Sequence, residues 1–106
     1  MTEQAKELIA HCQVVERVVS RMFKPIMELA QSPYCQRASI ERLMPVLDRN
    51  FGSIVGFIRV KWRENNLPKE DLVEVAGYLG YLEEYFQAQK ESLLAMRGGE
   101  ADEIRG

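Results

Sequence analysis

Apolar residues return along the first third of the chain at Ala5, Leu8, Cys12, Val15, Val19, Met22, Ile26 and Leu29, in steps of three and four. That spacing marks one face of a packed helix. Ile9, Val18, Phe23 and Ala30 widen the face. Pro25 removes one backbone hydrogen bond, but the pattern keeps its phase across it, which predicts a kink and not a stop. Ser32-Pro33 is the expected boundary, because a residue before proline is driven away from helical geometry.

A second stripe runs through Ile40, Met44, Leu47, Phe51, Ile54 and Ile58. Ser39 is the expected N-cap, with Glu41 in the first turn, and Pro45 is either a kink or the true first residue. Gly52 and Gly56 share a face, a spacing that lets another backbone approach closely, although "NFGS" can also break the helix there. Arg59, Lys61 and Arg63 suit a helix C-terminus by charge, and Asn65-Asn66 follow.

The third stripe is Leu72, Val75, Leu79, Leu82, Phe86, Leu93 and Met96, broken once by Gln89. Pro68, Glu70 and Asp71 open it, and Gly98-Gly99 is expected to close it. No segment alternates with the period of a strand. The expected fold is all-α: three long, partly kinked helices over about 3–31, 40–63 and 68–97, forming a small antiparallel or V-shaped bundle. One domain over 1–97 and a flexible tail over 98–106 are expected, the tail being polar apart from Ile104.

The third helix carries more apolar surface than one core can bury. In "VEVAGYLGYLEEYF", residues 73–86, three stripes separate at about 100° per residue. The leucine seam is one. Tyr78, Tyr81 and Tyr85 form a second, and Val73, Gly77 and Gly80 a third. Only Glu74 is charged before Glu83. A helix apolar all round is covered on several sides. Either helix 2 covers the surplus, through Gly52 and Gly56, or a second molecule does. Tyrosine is favoured in contact surfaces because a rigid ring ends in a polar tip. Val73, Gly77, Tyr78, Gly80, Tyr81 and Tyr85 are therefore the candidate partner-binding residues.

The 106 residues are the usual size of one domain, and a domain this small gains from oligomerisation, so a homodimer is expected. The opening residues lack a signal peptide's basic and apolar regions, and no apolar run is long enough for a bilayer, so a cytoplasmic location is expected. Charge is uneven: residues 1–36 sum to zero, 37–63 to +4 and 64–106 to −6. Such asymmetry fits a basic helix lying against an acidic one better than a nucleic-acid surface. Trp62, within "RVKWR", reads as part of a helix end, partly buried.

Catalytic chemistry is sparse. His11 is the single histidine and reads as a half-buried imidazole beside Leu8 and Val15. Cys12 reads as a small core residue, whereas Cys35 falls in a connection as a candidate exposed thiol, both reduced. Glu70-Asp71 and Glu83-Glu84 are adjacent carboxylates that diverge on a helix and usually face water. No metal, phosphate-loop or nucleophile motif occurs, so no enzyme activity, cofactor or metal is expected.

As a whole, and in "VEVAGYLGYLEEYF" in particular, the chain resembles the small quorum-sensing anti-activators that bind a LuxR-type receptor. The resemblance implies a homodimeric repressor of receptor-driven transcription. Such a protein captures the receptor's ligand-binding domain and blocks its dimerisation and DNA binding, without enzyme activity or metal. It gives the helix 3 face a contact role. Two other classes remain open: a nucleic-acid-associated regulator using Arg49, Arg59, Lys61 and Arg63, and a phage-type or immunity inhibitor acting by occlusion.

Overall fold

A computed structural model describes the backbone of residues 1–105 and the side chains of residues 1–96. Three helices follow one another: α1 (Glu3–Ala30), α2 (Arg37–Asn65) and α3 (Lys69–Arg105). Each packs against both others, and no strand occurs among the described residues. Thr2 lies beside Asp71, Phe23 beside Phe86 and His11 beside Phe57. These neighbours make α1 and α3 parallel, with α2 antiparallel to both.

The shape is a rod of 56 × 18 × 17 Å. Its length is that of a 37-residue helix at about 1.5 Å per residue. The radius of gyration, 17.1 Å, exceeds the roughly 13 Å of a globular chain this long. A rod three helices wide has one narrow core and much outer surface. Burial therefore follows a single stripe per helix.

On α1 that stripe is Ala5, Leu8, Cys12, Val15, Val19, Phe23 and Ala30. Phe23 and Ala30, expected to widen the face, are its fully buried members here, while Met22 packs against the core only partly buried and Leu29 stands in water. The reason is geometric: a straight helix of 3.6 residues per turn drifts about 20° per heptad from a strict three-four repeat. After three heptads the core has moved to the next residue. Pro25 lies inside the continuous helix, as its phase required.

Two boundaries differ from expectation by more than two residues, the start of α2 and the end of α3. Helix α2 starts at Arg37 behind the cap residue Gln36, not at Ser39. Arg37 stabilises the added turn, its Nε donating to Glu41 at 2.8 Å and its Nη1 to the Leu94 carbonyl at 3.2 Å. Pro45 consequently sits within α2 and is not its first residue, and the helix runs unbroken through Gly52. At the other end Asn66 adopts a left-handed φ of 49°, which asparagine tolerates, and stops the helix. Leu67 then anchors the turn in the core. Helix α3 continues through Gly98 and Gly99, which the expectation made its end. Glycine costs a helix only about 1 kcal/mol, less than packing or continuity can offset. The expected looseness of residues 98–106 concerns residues whose side chains lie outside the described ones.

The core is continuous. Phe86 stacks on Phe51 at 4.2 Å between centroids and meets Phe23 edge-on at 5.6 Å, so one ring from each helix joins at one level. Leu82, Leu79, Val75 and Leu93 complete the α3 stripe as predicted. No helix among the described residues is long and apolar enough to cross a membrane.

Candidate functional site

With one side of α3 committed to the core, its remaining apolar residues border α1 on one flank and α2 on the other. Each flank is an open groove.

The α1/α3 groove has a volume of about 840 Å³. Val73, Gly77, Tyr78 and Tyr81 line it from α3, with Gln13, Glu16 and Arg17 from α1. Val73 is 64% exposed and Tyr81 46% exposed, while Tyr78 and Tyr85 lean on the core. Tyr81 stacks on Tyr85 with centroids 6.2 Å apart. Partial desolvation raises the Tyr81 phenol above its ordinary value, and the Glu16 carboxylate, which accepts its hydroxyl hydrogen bond, raises it further. The groove thus offers an aromatic wall, an apolar valine and a hydroxyl near a carboxylate.

Thr2 and Asp71 close the end of this flank. The Thr2 amide and hydroxyl donate to Asp71 Oδ2 at 3.0 and 2.9 Å, and Thr2 Oγ1 accepts from Ala5 N at 3.2 Å. One threonine therefore caps α1 and ties it to α3. Asp71 is buried, at 7% exposure, where an adjacent-carboxylate reading placed it in water. The hydrogen bond from the Thr2 backbone lowers its pKa below the ordinary 3.8.

The α2/α3 groove has a volume of about 780 Å³. Phe51, Val55 and Phe86 form its floor, and Gly52, Gly56 and Gly80 leave its walls low. The expected close crossing of α2 and α3 at Gly52 and Gly56 does not occur. A Cβ built on either glycine, or on Gly77 or Gly80, meets no atom within 4 Å. The phenylalanine rings beneath set the spacing of the two helices, so the glycines open a channel and do not close a gap. Arg59 with Glu83, and Lys90 with Asp48 at 2.6 Å, bridge the groove. Arg59–Glu83 matches the expected contact of a basic α2 with an acidic α3, whereas Lys90–Asp48 runs the other way, with the base on α3 and the acid on α2.

The six candidate residues therefore do not form one surface. Val73, Gly77, Tyr78 and Tyr81 share the α1/α3 groove, with Tyr85 stacked beside them. Gly80 belongs to the other groove, with Gly52 and Gly56. A wheel places residues around one helix but not the neighbours that divide its circumference.

A third face escaped the sequence reading. Val14 and Val18 on α1, and Val46, Phe57 and Val60 on α2, are all exposed, Phe57 to 55%. His11 stands exposed among them, its ring 6.4 Å from Phe57, and is not half-buried as expected. The signal was present as valines flanking both stripes. It resembled a widened core until the packing was known.

Other expected chemistry is distributed differently. Of the four bases offered for nucleic acid, Arg59 pairs with Glu83 and Lys61 with Glu64, leaving Arg49 and Arg63 without an ion pair among the described residues. Trp62 packs against the core as expected. Cys12 is buried, and burial pushes its thiol pKa up. Cys35 is half-buried against the core rather than exposed, and both cysteines are free thiols. Among the described residues, no group of three or more histidine, cysteine or acidic side chains can hold a metal. Compared with protein-family models, curated proteins and solved structures, the chain matches none.

Proposed function

We propose that this chain is a non-enzymatic regulatory protein that works as a homodimer in the cytoplasm and captures another protein through the α1/α3 groove. The observation that carries this reading is the pairing of exposed Val73 and Tyr81 on either side of Gly77, on a helix whose opposite side is held in the core. Leaving two large apolar side chains in water on a rigid wall has no benefit for the monomer. A partner's apolar helix gains by covering them. The Tyr81 hydroxyl and the Glu16 carboxylate supply polar groups at the rim.

Within this reading the partner is a LuxR-type receptor, following the resemblance to quorum-sensing anti-activators. An apolar helical wall can replace the receptor's second subunit, which leaves the receptor unable to dimerise or bind DNA. The basic residues give less support to a nucleic-acid regulator, since two of the four are neutralised within the chain.

The test is co-purification with a LuxR-type ligand-binding domain, alongside a receptor-driven reporter. The native chain is expected to co-purify and silence the reporter. Gly77→Arg and Tyr81→Arg are expected to abolish both while circular dichroism stays helical. Full silencing by either variant assigns the contact elsewhere. Failure of the native chain to bind any LuxR-type domain removes the receptor from the reading. A host pull-down in which Tyr81→Arg retains every protein captured by the native chain removes the groove as well.

A further inference from the structure

We propose that the α2/α3 groove is covered by a second copy of this chain, in a two-fold dimer whose axis runs parallel to the helices. This deepens the homodimer part of the proposed function by naming the face and the orientation. It is independent of the captured partner.

Gly52, Gly56 and Arg59 line the groove's α2 wall, and Arg49 and Arg63 continue their seam at either end in steps of three and four. Along the α3 wall the seam is Gly80, Glu84, Gln87 and Glu91. Arg59 is used within the chain. Arg49, Arg63, Glu84 and Glu91 are exposed and have no ion pair among the described residues. One wall therefore presents unused positive charge and the other unused negative charge.

A two-fold axis lying in the interface can be oriented in two ways. If the axis crosses the helices, α2 faces its own copy and α3 faces its own copy, setting arginine against arginine and glutamate against glutamate. If the axis runs along the helices, each α2 lies on the other copy's α3, and opposite charges meet. The second arrangement is the complementary one.

Levels along the rod agree with it. An axis along the rod keeps every residue at its own height. Within one chain Asp48 is level with Lys90 and Phe51 with Phe86. Arg49 of one copy then falls between Glu84 and Glu91 of the other. The low walls at Gly52, Gly56 and Gly80 allow the backbones to approach, since nothing in this chain fills the space above them. Phe51, Val55 and Phe86 line the floor that the second copy would seal.

The area is sufficient. A face 18 Å wide and as long as α2, 29 residues, covers on the order of 800 Å² at about 1.5 Å per residue, close to what each partner buries in a stable dimer.

Sedimentation equilibrium of the full chain, from micromolar to millimolar concentration, tests the proposal. The native protein is expected to be a dimer that weakens as salt is raised. Glu84→Arg with Glu91→Arg is expected to weaken self-association about tenfold or more, and adding Arg49→Glu to the same chain is expected to restore part of the loss. Gly56→Leu should stay helical and monomeric. Tyr81→Arg, on the other flank of α3, should still dimerise. A native chain that is monomeric throughout overturns the proposal, as does a Glu84→Arg, Glu91→Arg variant that dimerises like the native one. Dimerisation lost with Tyr81→Arg and kept with Gly56→Leu also overturns it, and places the copies on the α1/α3 flank. Since each readout is the oligomeric state alone, failure here leaves partner capture standing, and failure of capture leaves the dimer standing.

Discussion

On the flank of α3 that borders α1, aromatic rings stand up from the helix and a buried aspartate fastens its end. On the flank that borders α2, glycines leave the wall low and two ion pairs bridge the rim. Both grooves are open and similar in size. The difference lies in what each offers an incoming molecule. A ridge of tyrosine and valine presents side chains to be covered. A glycine channel instead presents space and unused charge. One helix can therefore serve two contacts, because its neighbours divide its circumference into unlike surfaces.

The strongest way to break the comparison is to remove what the two grooves share. Phe86 touches both Phe51 and Phe23 at the level where all three helices meet. Phe86→Ala is expected to cost about 3–5 kcal/mol, measured by urea unfolding, and both contacts should fail together. If the variant loses partner capture but keeps its dimer, the two flanks are not joined through this ring.

Asp71 separates the flanks, because the carboxylate that fastens α1 to α3 is buried, whereas Glu83 and Asp48, which tie α3 to α2, are 46% and 50% exposed. Its folded pKa lies below the ordinary 3.8. The stability it contributes is therefore fully present above that value and lost as pH falls through the lower folded one. Thermal melts of Asp71→Asn should show a lower midpoint at neutral pH and a gap from the native protein that narrows in acid. A constant gap at all pH values would mean that the carboxylate charge is not what holds Thr2.

Smaller effects come from the glycines. Gly77→Ala and Gly56→Ala each add a methyl group that meets nothing within 4 Å in the monomer. Each is expected to stabilise the dilute chain by about 1 kcal/mol through helix propensity. At concentrations where copies associate, Gly56→Ala should gain less than Gly77→Ala, since only the first adds bulk to the proposed dimer face. Equal gains at every concentration would erase the distinction between the flanks.

A change that should affect neither groove provides the baseline. Phe57→Ser lies on the third face, at a residue that lines neither α3 groove, and should leave capture and dimerisation intact. Capture lost in this variant would move the partner site to the α1/α2 face. Thiol labelling gives the smallest signal. Cys35 should react before Cys12, whose burial raises its pKa and blocks access.

Much of the architecture was legible from spacing alone. The three stripes predicted three helices and most of their buried residues, because burial and helical period are both recorded in the order of side chains. Pro25 was read correctly as internal, since phase on both sides survives it. The start of α2 was misread because Arg37 is held by the Leu94 carbonyl, a contact 57 residues away. Asp71 was misread because its partner, Thr2, lies 69 residues upstream. Adjacent-residue reasoning detects neither.

The sequence by itself determined the helices, the seam that binds them and the surplus of apolar surface on α3. These follow from local period and composition, which act within one element. Only the tertiary structure decided which surplus residues belong together. It separated Gly80 from Gly77 and Tyr81, and it turned Gly52 and Gly56 from a closed crossing into an open channel. It also exposed Val14, Val18 and Phe57 as a face. The physical reason is that a side chain's place around its own helix is fixed by a constant angle. What stands opposite it depends on interaxial distance, and that distance is set by the largest rings in the core.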